Sequence, residues 1–154
     1  MTRKWLVAYD FSRQAEAALE MAADLLRADG EVLLLHVHRP LSTAFGVEFA
    51  ALSPAFRDVD ATISSAARDR LEEAAQAVRD RHPGLVIRTV VAAGYPAEHI
   101  VTAAREEGVD RIIVGSHGRR GLRRVFLGSV AERVVREADR TVTVVKGVEL
   151  EDGC

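Results

Sequence analysis

One stretch of the sequence carries glycine, serine and histidine residues at a spacing suited to binding a phosphate group. It covers residues 115–121 (GSHGRRG), and a glycine-serine pair, Gly128 and Ser129, follows it. Gly118 and Gly121 permit a backbone with positive φ, and an anion can approach them closely because they have no Cβ. We therefore expect the N–H groups of this loop to hold a phosphate group.

Two predicted elements position this loop. The run Arg111–Val114 is short, apolar and β-branched, which is typical of a buried strand, and Gly115 ends it where the backbone must turn. The residues Val130–Arg136 have the apolar spacing of a helix, which Ser129 would cap. The unpaired N–H groups and the positive dipole end of that helix would favour an anion beside the loop.

The glycine spacing resembles the nucleotide-binding signature of the universal stress protein family, in its ATP-binding branch. In this chain the pattern is Gly115-x2-Gly118-x9-Gly128-Ser129. The segments 112–118 and 127–134 also resemble that family, and the resemblance extends from Leu6 to Lys146. A lone glycine pattern is weak evidence, but the complete spacing on a predicted strand, loop and helix is specific.

Composition limits the other classes of function. The 154 residues suit one domain, and 48% apolar with 29% charged residues is ordinary for a globular protein. A net charge of -2 indicates neither nucleic acid nor an anionic membrane as a partner. No apolar run approaches the length of about 18 residues that a membrane span needs, and no signal peptide is recognised, so we expect a cytoplasmic protein. The single cysteine, Cys154, excludes an internal disulfide and a thiolate cluster.

Apolar periodicity along the chain predicts alternating strands and helices. The predicted strands are Trp5–Tyr9, Val32–Val37, Leu85–Val91, Arg111–Val114 and Thr141–Val145. The predicted helices are Ala15–Leu26 with Ser12 as cap and Gly30 just beyond its end, Ala61–Arg81, Pro96–Glu107 closed by Gly108, and Ser129–Glu137. A turn is predicted at residues 92–95. Residues 38–59 lack a clear period and are interpreted as a long excursion with a short helical turn, serving as a lid, a partner surface or a tolerated insertion.

This alternation predicts an α/β fold with a mostly parallel sheet and helices on both faces. Ligands of such sheets bind beyond the carboxyl ends of the strands, where the strand order reverses, so Asp10 and Gly115 would border one cleft. The family resemblance implies a single Rossmann-like domain over residues 1–148, with five strands in the order 3-2-1-4-5. A tail over residues 149–154 follows.

Asp10 and Val37 are candidates for the nucleoside end of the site. A carboxylate at the end of a buried strand would be solvated, cap the next helix or meet a ligand hydroxyl. The resemblance implies that Asp10 contacts the adenosine part of ATP and that the backbone of Val37 binds the adenine edge. The alternative for Val37 is a pure core role. The family commonly has glycine after this aspartate, whereas this chain has Phe11.

The loop supplies the phosphate end. The resemblance implies that the phosphates are held by glycines, by Ser129 and by the amide of Val130, whereas the alternative is a structural turn with a serine cap. Arg119 and Arg120 would offset phosphate charge or form a solvated face, and His117 would bind a phosphate or face solvent. The candidate nucleotide-binding residues are therefore Asp10, Val37, Gly115, Ser116, His117, Gly118, Arg119, Arg120, Gly128, Ser129 and Val130.

The sequence offers little for catalysis. It has no Walker A lysine pattern, no Gly-x-Ser-x-Gly elbow and no catalytic pair, so we expect slow ATP hydrolysis at most. His36 and His38 have no third ligand at suitable spacing, which favours satisfied or exposed histidines over a metal site. Mg²⁺ would bridge the phosphates without a dedicated carboxylate. These features favour an ATP-binding sensor or switch in the stress response, the alternatives being a nucleotide-free interaction module and a weak ATPase.

The last predicted strand suggests a partner. If Thr141–Val145 lies at the edge of the sheet, it presents an apolar strand that proteins normally cover. The family resemblance implies a homodimer formed through this strand, and Thr141 stands where the family often has proline. The alternative is that the tail shields the edge. A switch also needs a protein partner, which the sequence does not identify.

Overall fold

The strands form one parallel sheet in the computed structural model, which describes residues 2–46, 54–117 and 127–146. They are β1 (Arg3–Ala8), β2 (Gly30–His38), β3 (Val86–Ala93), β4 (Arg111–Gly115) and β5 (Thr141–Val145). The order across the sheet is β3-β2-β1-β4-β5, and each neighbouring pair is parallel. The predicted α/β class and strand order are confirmed.

Helices cover both faces of this sheet. They are α1 (Arg13–Leu26), α2 (Leu41–Phe45), α3 (Pro54–Arg81), α4 (Pro96–Glu106) and α5 (Ser129–Glu137). Buried residues of α1 and α3 pack with Val7 and Leu34 on one face, and those of α4 and α5 pack with Leu6 and Leu33 on the other. The strands are continuously apolar because both faces are buried. None of the helices in the described ranges combines the length and apolar character that crossing a bilayer requires.

The segment between β2 and β3 differs from the prediction. The short helical turn exists as α2, but α3 begins at Pro54 and not near residue 61. The buried stripe of α3 consists of Ala67, Leu71, Ala75 and Val78. Because no residue of its first three turns is buried, this part of the helix carries no apolar period that a sequence pattern detects.

The predicted turn at residues 92–95 begins too early. Ala92 and Ala93 belong to β3, where they pair with Val37 and His38 of β2. Alanine is depleted in strands, so two alanines beside Gly94 suggest a turn when only the sequence is considered. β3 is therefore longer than predicted at its carboxyl end. The same holds for β2, which ends at His38, one residue after Val37.

The sequence suggested Gly30 as the residue that stops α1, but the structure gives this glycine another role. The helix ends at Leu26, a 3-10 turn follows at Arg27–Asp29, and Gly30 is the first residue of β2. Arg27, and not a glycine, takes the left-handed backbone, with φ of 51°. A Cβ on Gly30 would lie 2.6 Å from Cδ2 of Leu26, so this glycine lets β2 start close against the end of the helix.

Candidate functional site

The carboxyl ends of three adjacent strands lead to three predicted site residues at one edge of the sheet. β1 pairs with β2 at Ala8 and Leu35, and with β4 at Val7 and Ile113. Counting forward from these pairs aligns, across β2, β1 and β4, the residues Val37, Asp10 and Ser116. The strand order reverses between β1 and β4, so this edge is the crevice in which open α/β sheets bind ligands.

Asp10 organises the connection from β1 to α1. Its carboxylate Oδ1 accepts a hydrogen bond from the N–H of Ser12 at 3.0 Å. Ser12 is the N-cap of α1, and its hydroxyl accepts from the N–H of Ala15 at 3.1 Å. Ser12 therefore caps the helix, as predicted, and Asp10 holds the turn that leads to the cap.

Phe11 keeps the backbone that a glycine would adopt at this position. Its φ is 64°, in the left-handed region that side chains other than those of Asn and Asp rarely occupy. The ring packs against Tyr9 and His36 at centroid distances of 5.3 and 4.7 Å, and the Arg70 guanidinium lies 4.1 Å from it. The departure from glycine thus preserves the turn and places the ring on the face covered by α1 and α3.

Val37 packs in the core through its side chain, and its backbone groups are directed toward the site. Its side chain is half-buried and packs against the cluster formed by α4 and α5. The carbonyl oxygen of Leu35 accepts from the N–H of Tyr9, and that of His38 accepts from the N–H of Gly94. Because backbone groups alternate in direction along a strand, the N–H and C=O of Val37 face the side of β1, beyond the residue at which β1 ends.

Ser116 and Gly128 tie the end of β4 to the start of α5. Ser116 is 2% exposed, and its N–H donates to the carbonyl oxygen of Val145 at 2.8 Å. Its own carbonyl oxygen accepts from the N–H of Gly128 at 2.7 Å. These two amides, which the sequence suggested for a phosphate, therefore hold the site together. Sequence patterns missed this bond because it joins only main-chain atoms.

Gly115 is required for close packing between α1 and β4. It ends β4, as predicted, but it still pairs with Val145 inside the strand, and the backbone bends directly after it. A Cβ on Gly115 would lie 2.9 Å from Cβ of Gln14 in the first turn of α1. Its missing side chain therefore sets the distance between α1 and the strand that leads to the site.

The N-terminus of α5 supplies hydrogen-bond donors at this edge. Gly128, with φ −60° and ψ 153°, is the N-cap, and Ser129 is the first helical residue without a capping side-chain bond. The prediction that Ser129 caps the helix is wrong, because the bond from Gly128 to Ser116 fixes the preceding residue in the cap position. The N–H groups of Ser129, Val130 and Ala131 have no partner within the helix.

The histidine at the beginning of the loop is partly bound. Nδ1 of His117 lies 3.0 Å from Oγ of Ser116, and Nε2 is buried without a hydrogen-bond partner among residues 2–46, 54–117 and 127–146. Gly118, Arg119 and Arg120 lie outside the described residues. The loop's contribution to phosphate binding thus remains a prediction.

His36 and His38 are buried beside this edge, on the face covered by α1 and α3. Nδ1 of His36 donates to the carbonyl oxygen of Tyr9 at 2.7 Å, and Nε2 of His38 lies 2.7 Å from Oγ of Ser64. Their rings are stacked with centroids 6.5 Å apart. Both side chains therefore pack at the end of β2, and Nδ1 of His38 is buried without a hydrogen-bond partner among the described residues.

Comparison with known proteins identifies relatives along nearly the whole chain. The model of the universal stress protein family matches residues 1–146. Universal stress protein MJ0577 of Methanocaldococcus jannaschii is 35% identical over 160 residues, covering 95% of this chain and 96% of that protein. The solved structure of MJ0577 matches the fold with a TM-score of 0.79, at 34% identity and with coverage of 95% and 96%.

Two further structures share the fold. UspA from Lactobacillus plantarum matches with a TM-score of 0.80 at 25% identity, covering 94% of this chain and 97% of that one. A universal stress protein family member from Arabidopsis thaliana, solved with AMP bound, matches with a TM-score of 0.61 at 21% identity, covering 94% and 91%. The family model, the identity to MJ0577 and the strand order agree, and the chain belongs to the universal stress protein family.

Proposed function

We propose that the protein binds ATP at the carboxyl edge of β2, β1 and β4 and acts as a nucleotide-dependent switch in the stress response of the cytoplasm. The observation that carries this proposal is the register of β2, β1 and β4, which, continued past the last paired residues, sets Val37, Asp10 and Ser116 at one level. The N-terminus of α5 is bonded to Ser116 through Gly128. Backbone groups, a carboxylate and helix amides then meet along one line that suits adenine, ribose and phosphates in turn.

Each part of the nucleotide has a chemically suitable partner. The N–H and C=O of Val37 bind the adenine edge, and the carboxylate of Asp10 accepts from the ribose hydroxyls. The N–H groups of Ser129 and Val130 and the Ser129 hydroxyl bind phosphate oxygens at the positive end of the α5 dipole. Gly118, Arg119 and Arg120 would complete the phosphate site, and Mg²⁺ bound with the nucleotide would offset the phosphate charge. AMP in the Arabidopsis thaliana relative supports an adenine nucleotide as the ligand.

Three residues that the sequence predicted to bind phosphate have structural roles instead. The amides of Ser116 and Gly128 position α5, and Gly115 positions α1 against β4. The N–H groups of α5 and the backbone of Val37 bind a nucleotide but do not activate water, so binding and release of the nucleotide carry the signal.

We also propose that two copies pair through β5. This strand is at one end of the sheet, and the carbonyl oxygen of Val145 points to Ser116 of the preceding segment. Because backbone groups alternate, those of Val142 and Val144 face away from β4 and are directed toward a partner strand. The dimer would present two nucleotide sites to a further protein partner.

The direct test is to denature the freshly purified protein, identify released nucleotide by mass spectrometry and titrate the stripped protein with ATP, AMP and GTP. We expect ATP to be released or to bind with about micromolar affinity, about −8 kcal/mol. AMP should bind more weakly because it lacks two phosphates, and GTP should bind poorly because its base edge differs. Absence of release and of binding by any of the three would contradict the proposal and identify a nucleotide-free interaction module.

A further inference from the structure

A groove separates α1 from α3 on the face of the sheet that both helices cover. Its volume is about 600 Å³, within the range of about 300–1,000 Å³ that is typical of small-molecule sites. Ala17 of α1 and Ala74 and Ala77 of α3 line it, so short side chains leave the space between the helices. None of the residues that line the groove is among those we assign to the nucleotide, although Tyr9 directly precedes Asp10.

Tyr9 gives this groove a polar group. It lines the groove, is only 6% exposed, and its hydroxyl forms no hydrogen bond with any residue in the described ranges. The hydroxyl oxygen is open to the groove, because it is not among the fully buried polar atoms that lack a partner. Burial raises the pKa of Tyr9, and the nearby Glu16 carboxylate raises it further. The hydroxyl is therefore protonated at neutral pH and can donate a hydrogen bond.

Two side chains of opposite charge stand at the rim without ion pairs. Arg13 and Glu16 line the groove one helical turn apart, and neither side chain has an ion-pair partner within residues 2–46, 54–117 and 127–146. Arg13 is the first residue of α1, where the helix dipole disfavours a cation. Arg81 and Glu20, on the same rim, pair with each other. Helix stability thus does not account for Arg13.

We propose that the groove binds a free amino acid with an apolar side chain. The ligand carboxylate pairs with Arg13, its ammonium group pairs with Glu16, and the Tyr9 hydroxyl bonds the same polar head. The apolar side chain packs against Ala74 and Ala77, with ample volume for an aromatic ring. This arrangement satisfies a free cation, a free anion and an unpartnered hydroxyl with one zwitterion.

Three probes with the same aromatic body separate this proposal from plain hydrophobic binding. L-phenylalanine carries both charges, 3-phenylpropionate lacks the ammonium group and 2-phenylethylamine lacks the carboxylate. In NMR titrations of the full chain, we expect L-phenylalanine to bind at least about tenfold more tightly than either relative. Equal affinities for the three probes, or no shift of groove resonances with L-phenylalanine, would overturn the proposal.

Single substitutions test whether L-phenylalanine binds in the groove. Tyr9→Phe, Arg13→Gln and Glu16→Gln should each weaken L-phenylalanine binding by about fivefold or more. Ala77 is exposed, so Ala77→Leu fills the groove without disturbing the core and should abolish binding.

The matched control, Gln76→Leu, adds a similar side chain on the same helix outside the groove lining and should leave the affinity unchanged. ATP titrations of the same variants separate the two sites. If Arg13→Gln weakens ATP binding and leaves L-phenylalanine binding intact, Arg13 belongs to the nucleotide edge and the proposal is wrong.

Discussion

The N–H of Gly128 donates to the carbonyl oxygen of Ser116 at 2.7 Å, and this bond holds the start of α5 against the end of β4. The N–H of Ser116 is bonded to Val145 in turn, so the same residue also joins β4 to β5. The N–H groups of Ser116 and Gly128, which the sequence suggested as phosphate donors, therefore bond to main-chain atoms and connect the elements around the site. Among the described residues of the site, the N–H groups left for a phosphate belong to the first turn of α5.

Gly115→Ala should destabilise the protein by about 1–3 kcal/mol, because the new Cβ would lie 2.9 Å from Cβ of Gln14. Urea denaturation measures the effect. Gln14→Gly removes the opposing atom at a helix cost of about 1 kcal/mol, so the double variant should lose less stability than the sum of the single changes. Additive losses, or lost ATP affinity at unchanged stability, would instead make Gly115 a ligand contact.

Phe11→Gly should be more stable than Phe11→Ala by about 1 kcal/mol. Both variants lose the ring, but only alanine retains the cost of a side chain at φ 64°. Chemical denaturation of the pair isolates this strain. At Asp69, an exposed position inside α3, the same comparison should have the opposite sign, because glycine is disfavoured in a helix. If alanine is the more stable residue at both positions, the backbone at position 11 is not strained.

Val142→Pro should give a folded monomer. The N–H of Val142 faces away from β4, so proline removes a donor that only a partner strand would use. Thr143→Pro removes an N–H directed at β4 and should destabilise the fold itself. Sedimentation velocity and thermal denaturation distinguish these outcomes. A wild-type protein that sediments as a monomer, or a Val142→Pro protein that sediments as a dimer, would refute pairing through β5.

Stability should fall as the pH decreases from about 4.5 toward 2, in part because of Glu107. Hydrogen bonds from Arg88 and from Nζ of Lys4, the latter at 2.9 Å, lower the pKa of Glu107 from 4.5 to about 2. A carboxylate with a lowered folded-state pKa stabilises the fold fully above its unfolded pKa and loses this contribution as it becomes protonated.

Urea denaturation at about pH 5 and about pH 3 tests this effect. The variant Glu107→Gln should lose less stability between these two conditions than the wild type, because it has no charge to lose. Other carboxylates titrate in both proteins, so the difference between the two slopes reports Glu107. Identical slopes would show that this carboxylate is not paired in solution.

The sequence was sufficient to predict where the strands end at the carboxyl edge of the sheet, because buried parallel strands are continuous apolar runs. Arg111–Val114 and Val32–Val37 were identified in this way, and their ends determine where Ser116 and Val37 lie. The family resemblance then supplied the strand order. Errors of one or two residues at strand ends did not move these residues away from the edge.

Features that depend on contacts between distant segments could not be predicted. The bond between Ser116 and Gly128 joins main-chain atoms, and the need for glycine at position 115 follows from the approach of Gln14. The beginning of α3 at Pro54 was missed because its first turns bury nothing. The groove at Tyr9 exists only because of the spacing between α1 and α3.

The most direct test of the nucleotide site compares Ser129→Pro with Ser129→Ala in calorimetric titrations with ATP. Proline is favoured at the first helical position, and Gly128 already has the extended ψ of 153° that a residue before proline adopts, so α5 should stay folded. Proline removes the N–H and the hydroxyl, whereas alanine removes the hydroxyl alone. We expect the proline variant to bind ATP at least about tenfold more weakly than the alanine variant, about 1.4 kcal/mol. Equal, undiminished ATP affinity in both variants would contradict phosphate binding by the N-terminus of α5.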